Sequence, residues 1–431
     1  MKHTVKEIKL KNGARGLLVD IPGSTVMSYQ FHFRAGNRFV RSKESYETAH
    51  IMEHMAFGAN SKYKDEHAYE AEFTKNGAYH NAFTSDLSMV YVADCAEFEW
   101  ERILELQKFA ITEPRFNNEE LEAEKGNVKS ELTEYLNNQG RVLWPKMQQL
   151  LGEDVLTYWQ RLQTIQNVTL ADIKEHHKRT HTAENLRFVI AGKLHGKKSG
   201  ILRQLETWKL PKGERFVVPK DELSKANPTL IRRKEIPNLT FGLSIILPRK
   251  LNDKERDAMN FLNHILTGTM YSRIYGAARK KGLAYGIYSG TNSYAHDSAW
   301  DFEGQVNLDK APALFDIITR EMKSVLNGKI SDKELEAAKQ YALGRHQMGA
   351  QTVAQISNFY AGRYFFDGFV KNYEKVPELI AGVSKEQIIE TACSFLKADT
   401  WVLAGVGSAE KELVDSLGEK VDKLFTTSVK E

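Results

Sequence analysis

The stretch Ala49-His50-Ile51-Met52-Glu53-His54-Met55-Ala56-Phe57 decides how this chain reads. On a helix, residues four apart share a face, so His50 and His54 aim two imidazoles at one point. Glu53 lies beside His54 and one turn from His50, within reach of a water at that point. Two neutral nitrogen donors and a neighbouring carboxylate suit a zinc ion with a base to activate water. The order is inverted relative to the commoner zinc-protease motif, in which Glu directly follows the first His. Taken alone, His50 to His54 also fits an ordinary helix with two surface histidines. The metal reading needs a third protein ligand from elsewhere.

A second segment offers one. Residues 119–131, EELEAEKGNVKSE, are strongly helix-forming, and Glu124 and Glu131 fall two turns apart on one face. In isolation this is a charged, solvated helix.

Together the two segments resemble the pitrilysin/insulinase family of inverted-motif zinc metallopeptidases, in its half-size, processing-peptidase-like branch. That family carries His-x-x-Glu-His and then a glutamate ligand about 77 positions on; here Glu131 follows His54 by 77. It also holds a glutamate seven residues earlier, matched by Glu124. AHIMEHMAF (49–57) is similar to the family's AHFLEHMLF, and NGAYHNAFTSDLSMVY (76–91) to its strand pair around NA-x-T. The resemblance implies that His50, His54 and Glu131 hold one Zn2+ per chain, with Glu53 as general base and Glu124 supporting the site from behind. It implies a zinc metalloendopeptidase acting on peptides or unfolded segments.

The same resemblance marks His80 to Thr84 as an edge strand to which an extended peptide adds, so that Asn81 and Ala82 touch substrate. A structural turn role for that pair is the other reading. Gly282-Leu283-Ala284-Tyr285 matches a motif whose Tyr, with an Arg seven residues earlier, reaches the scissile region in the family. Tyr285 is present, but the seven-back position is Ala278, with Arg279 one step late as the candidate substitute. Half-size members pair to enclose a chamber that selects unfolded peptides. A homodimer is therefore the simplest expectation, with a heterodimer with a related subunit open.

A chain of 431 residues, 42% hydrophobic and 27% charged, is globular and long enough for two domains. A formal charge of +4, with no basic cluster interleaved with aromatics, argues against nucleic acid as a partner. No run of 18 apolar residues and no signal-peptide pattern at the start point away from a membrane or export. Cys95 and Cys393 read as buried thiols of a reducing compartment, by default the cytoplasm.

Four of the ten prolines fall between Pro211 and Pro237 among charged residues, which reads as a linker. The expected division is a zinc domain at 1–215, a linker at 216–236 and a degenerate repeat at 237–431 that contacts substrate or partner. The halves look like copies. Val189-Ile190-Ala191-Gly192 is echoed by Val402-Leu403-Ala404-Gly405, each after a helix opening at Val168-Thr169 or Val383-Ser384, where Thr or Ser suits an N-cap. Where the first copy has His50, Glu53 and His54, the second has Asn260, Asn263 and His264; where the first has Glu124 and Glu131, the second has Ala338 and Arg345. One full set in two copies is the pattern of one active site per chain.

The expected fold is α+β: two homologous α/β-roll domains, each a largely antiparallel sheet with helices on one side. Strands are expected at 24–33 and 186–191, and helices at 43–55, 68–76, 97–109 and 118–136. His177 and His181, also four apart, lack a carboxylate between them and read as surface residues. A non-catalytic scaffold subunit of the same fold is the alternative to the enzyme, and the complete ligand set argues against it.

Overall fold

A computed structural model of the chain describes residues 1–427. Its strands form two sheets of matching topology. β1 (Thr4–Lys9), β2 (Arg15–Asp20), β3 (Val26–Phe33), β4 (Tyr79–Thr84), β5 (Met89–Ala96) and β6 (Arg187–Gly192) are ordered β1-β2-β6-β3-β5-β4. β7 (Thr229–Arg232), β8 (Asn238–Leu247), β9 (Ala284–Ser293), β10 (Ser298–Asn307) and β11 (Thr400–Gly407) are ordered β7-β11-β8-β10-β9. Without β1, the two orders superimpose strand for strand. In each, one pair is parallel (β2 with β6, β7 with β11) and the other pairs are antiparallel. The internal repeat read from scattered echoes is thus a repeat of topology.

Eight helices concern the site and its counterpart: α1 (Thr48–Ala56), α2 (Asn118–Tyr135), α3 (Gln139–Leu151), α4 (Tyr158–Thr164), α5 (Leu170–Thr180), α6 (Asp253–Asn263), α7 (Asp332–Met348) and α8 (Val353–Asp367). The predicted helix at 43–55 starts later, because residues 43–45 form a separate 3-10 turn capped by Ser42. Thr169 and Ser384 cap their helices through reciprocal side-chain and backbone bonds with Asp172 and Gln387, as their positions suggested.

The chain forms two compact units that are not continuous in sequence. Unit 1 comprises Met1–Glu134, Tyr158–Pro219 and Gln347–Lys371; unit 2 comprises Tyr135–Thr157, Lys220–His346 and Asn372–Glu431. Each sheet has helices from its own half of the chain on one face. The other face is covered by a helix from the opposite half, which a sequential division at the linker does not anticipate. In unit 1, α8 lies on β3 and β6: Gln30 Nε2 donates to Asn358 Oδ1 at 2.6 Å, and the His32 and Phe365 rings stand 5.3 Å apart. In unit 2, α3 buries Val142, Leu143 and Met147 against Ile246, Val402, Ala404 and Val406. The approach is close enough that a Cβ on Gly242 of β8 would come within 2.6 Å of Met147 Sδ. Central strands covered on both faces explain unbroken apolar runs such as Leu17-Leu18-Val19 and Phe188-Val189-Ile190-Ala191.

The stretch expected as an extended linker contains β7. Four residues between Pro228 and Pro237 are too few to show a strand period, yet Thr229–Arg232 pairs in parallel with β11. No helix of the described residues is long and apolar enough to cross a membrane.

Candidate active site

The site is built in unit 1 by α1 and α2, with support from the turn before α1 and from α4. On α1, His50 is buried and His54 half-buried, while Ile51, Met52 and Met55 are sunk in the core and fix the helix's roll. On α2, Leu121, Val128 and Leu132 are buried at helical spacing. That places Glu124 and Glu131 toward α1. His50 Nε2 lies 3.3 Å from Glu131 Oε2 and His54 Nε2 lies 3.6 Å from the same oxygen. The three side chains offer donor atoms all within 4.8 Å of one another.

The other ring nitrogens are held from behind. His50 Nδ1 bonds Glu47 Oε2 at 3.1 Å, and His54 Nδ1 bonds Glu124 Oε2 at 2.8 Å. A carboxylate on Nδ1 fixes the tautomer in which Nε2 is the free donor, the usual backing of a metal-bound histidine. Glu124 also accepts from Asn127 Nδ2 at 3.1 Å. Glu47 is fully buried and takes both nitrogens of the Arg161 fork, Nε at 2.6 Å and Nη2 at 2.9 Å. Glu53 differs: half-buried on the same helix, it engages in no hydrogen bond or ion pair among the described residues.

Electrostatics favour positive charge here. Burial opposes protonation of both rings, but hydrogen bonds from Glu131 and Glu47 outweigh it at His50, and those from Glu124 and Glu131 hold His54 up to about 10. The hydrogen bond to His54 holds the Glu124 carboxyl below its ordinary value. Beside them the Glu66 carboxyl is raised, first by burial and then by repulsion from Glu124, Glu70 and Glu120. A field that traps protons on two imidazoles is one that a divalent cation can take over, displacing those protons. Two nitrogens and one carboxylate oxygen are a zinc donor set, and a tetrahedral ion with ligands at about 2.0–2.1 Å separates its donors by about 3.4 Å. The residues present therefore fit a metal with an open fourth position.

The remaining expected contact residues fall as follows. β4 is the last strand of its sheet and packs beside α1. Asn81 is exposed on it, its Oδ1 accepting from Ala82 N at 2.9 Å; the Ala82 side chain is buried. Tyr285 and Arg279 belong to unit 2 and pair with each other. Tyr285 is 86% exposed, and the Arg279 guanidinium sits 4.7 Å from the centre of its ring. Ala278 is wholly buried, so the guanidinium partner of Tyr285 comes from the next residue.

His177 and His181 are not surface residues. His181 is 1% exposed, stacked on Phe33 and bonded to the Tyr91 hydroxyl at 2.8 Å; His177 Nε2 bonds the Ile111 carbonyl at 2.9 Å. They extend the inward face of α5, which already carries Ile173, His176 and Thr180. Sequence reasoning missed Glu47 and Arg161. Glu47 stands three before His50, a spacing that could have flagged it; Arg161 carries no local signal.

Comparisons with known proteins identify the family. Residues 28–151 match Insulinase (Peptidase family M16), and residues 167–341 match Peptidase M16 inactive domain. The chain belongs to family M16. The M16 segment holding α1 and α2 is thus followed by one described as inactive, in which the repeat lacks the ligand set. An uncharacterized zinc protease of Rickettsia felis is 24% identical over 400 residues, 91% of this chain and 95% of that protein. One from Bacillus subtilis is 23% identical over 350 residues, 79% of this chain and 83% of the relative. The mitochondrial-processing peptidase subunit beta of Saccharomyces cerevisiae is 24% identical over 77% of this chain and 75% of its own. Among solved structures, a protease from Helicobacter pylori aligns with a TM-score of 0.83 at 18% identity, covering 94% of this chain and all of that one. An M16 inactive-domain protein from Pseudomonas fluorescens gives 0.84 at 20% identity, covering 94% and 99%. These establish the M16 fold.

Proposed function

We propose that this chain is a zinc-dependent endopeptidase that hydrolyses peptide bonds in peptides or unfolded segments. One observation carries the reading: His50, His54 and Glu131 converge with both histidines turned by carboxylates, while Glu53, whose charge acts on both rings, makes no hydrogen bond or ion pair among the described residues. His50, His54 and Glu131 would hold one zinc ion. Bound there, zinc supplies a Lewis acid for the water and for the scissile carbonyl. Glu53 takes the proton of the attacking water and delivers it to the leaving amine, since its carboxylate has no competing partner. Glu124 keeps the His54 ring in register throughout.

The exposed edge of β4 suits an extended peptide adding by backbone hydrogen bonds, with Asn81 and the Ala82 backbone as contacts. The stacked pair Tyr285 and Arg279 is proposed as a further substrate contact. A homodimer is the proposed assembly: the yeast relative is by name a subunit, and this chain carries both the ligand set and Tyr285. The free thiols Cys95 and Cys393 support a reducing compartment, and the cytoplasm is the proposed location.

The deciding experiment measures zinc content and cleavage of a quenched peptide for the parent and for Glu53→Gln. The variant is expected to keep its zinc and lose cleavage. Undiminished cleavage would remove Glu53 as the base. A parent that binds zinc tightly but cleaves no unfolded peptide would favour the non-catalytic subunit instead.

A further inference from the structure

Burying an ion pair is seldom a net gain in stability, because desolvating both charges offsets their attraction. The pair Glu47–Arg161 is buried nonetheless. The Glu47 side chain is fully buried and that of Arg161 is 15% exposed, with the guanidinium 5.1 Å from the Tyr158 ring centre and 5.9 Å from that of Tyr46. Every contact of the carboxylate has one direction. Oε1 accepts Arg161 Nε at 2.6 Å, while Oε2 accepts both Arg161 Nη2 at 2.9 Å and His50 Nδ1 at 3.1 Å. A bidentate fork removes the rotation a lone carboxylate would keep. The ring of His50 therefore takes its orientation from a residue on α4. The arm behind His54 is looser: Glu124 is 14% exposed and its remaining side-chain bond goes to exposed Asn127.

We infer that Arg161 is a positioning residue for the metal centre, acting through Glu47 to hold His50 Nε2 toward Glu131, so that the site has one clamped and one yielding histidine. The inference rests on the metal-centre reading above, and its test separates the two. Zinc affinity of the full chain is measured by competition with a chelator of known affinity, alongside thermal melting of the metal-free protein.

Arg161→Met and Glu47→Gln are each expected to weaken zinc binding by about 10- to 100-fold, the usual cost of losing a ligand's backing. The double variant is expected to be no weaker than Glu47→Gln alone, because the two act in series. Arg161→Met combined with Glu124→Gln is expected to multiply the two losses, because those arms are separate. Arg161→Lys keeps the charge without the fork and serves where the Met variant folds poorly; about a several-fold loss is expected. Arg102→Met removes a comparable ion pair with Glu99 away from the site. It is expected to lower the melting temperature and leave zinc affinity unchanged.

Parental zinc affinity in both Arg161→Met and Arg161→Lys would overturn the inference, as would losses from Arg161→Met and Glu47→Gln that multiply. A parent that binds no zinc would instead overturn the metal-centre reading.

Discussion

α1 and α6 occupy the same place in two sheets of the same strand order, and they are put to opposite uses. His50 and His54 of α1 converge with Glu131 of α2, backed by the carboxylates of Glu47 and Glu124. On α6, the equivalent positions are Asn260, Asn263 and His264. Asn263 spends its amide on packing: Oδ1 accepts the Trp300 indole N–H at 2.9 Å and Nδ2 donates to Thr291 Oγ1 at 2.9 Å. At His264, the counterpart of His54, the helix widens into a π turn over His264–Gly268. The ring stacks on Tyr341, and burial lowers its basicity with no carboxylate to oppose it. On α7, buried Ala338 stands where α2 has Glu124. The difference teaches that the helix-under-hairpin arrangement does not make a metal site. What separates the two repeats is the carboxylates of the facing helix: where α2 has Glu124 and Glu131, α7 has Ala338 and Arg345, although Asp257 still stands where the first repeat has Glu47.

The comparison breaks most visibly at the ligands and the base. His54→Ala is expected to abolish stoichiometric zinc, while His264→Ala leaves it unchanged, as read by metal analysis. Glu53→Gln is expected to lower peptide cleavage by about 10²- to 10⁴-fold, the range for removing a general base. Asn263→Asp, the matching change toward acidity on α6, should add neither a second zinc nor any cleavage to the parental level.

A pH series sharpens it next, since unit 1 holds two sets of histidines of opposite sign. Burial first, then Arg215, holds His32 down to about 3. Burial likewise holds His176 and His177 to about 4 and His181 well below its ordinary value. Near pH 6.5 and below, the unfolded chain binds protons these four refuse, so stability falls as pH drops from about 6.5 toward 4. The slope is up to about 1.4 kcal/mol per pH unit for each histidine. His50 and His54 are raised in the metal-free protein, so their contribution is full below about 6.5 and fades as pH rises through the elevated values, toward about 10 for His54. Metal-free protein should therefore melt highest near neutrality. Zinc should remove the alkaline decline, because ligating imidazoles have already given up their protons. Melting curves against pH, with and without zinc, check both limbs; an alkaline decline that zinc leaves in place would contradict the ligand assignment.

The smallest effect is structural. Asn263→Ala leaves the Trp300 indole N–H unpaired in the core and is expected to cost about 1–3 kcal/mol in denaturant unfolding, with zinc content untouched.

What was legible in the sequence follows from how far apart the cooperating residues lie. His50 and His54 are read within one helix turn, and Glu124 and Glu131 within two, so local spacing carries both halves of the site. Arg161 is 114 residues from Glu47 on a seven-residue helix, and nothing in either neighbourhood announces the other. The burial of His177 and His181 could have been read from Ile173, which precedes them at the same four-residue spacing; testing the pair only as metal ligands hid it. β7 was invisible because four residues between prolines show no period. The covering helices α3 and α8 look ordinary in sequence, since amphipathicity tells that a helix has a partner without telling which sheet it is.

During synthesis the first sheet emerges complete by residue 192, yet the helix that roofs its second face is not made until residues 353–367. Until then β3 and β6 wait with Gln30 and His32 unroofed. A gene split at the proline-rich stretch would leave one fragment lacking its roof and the other lacking α3. Neither fragment should be stable alone, and the two should regain solubility when co-expressed.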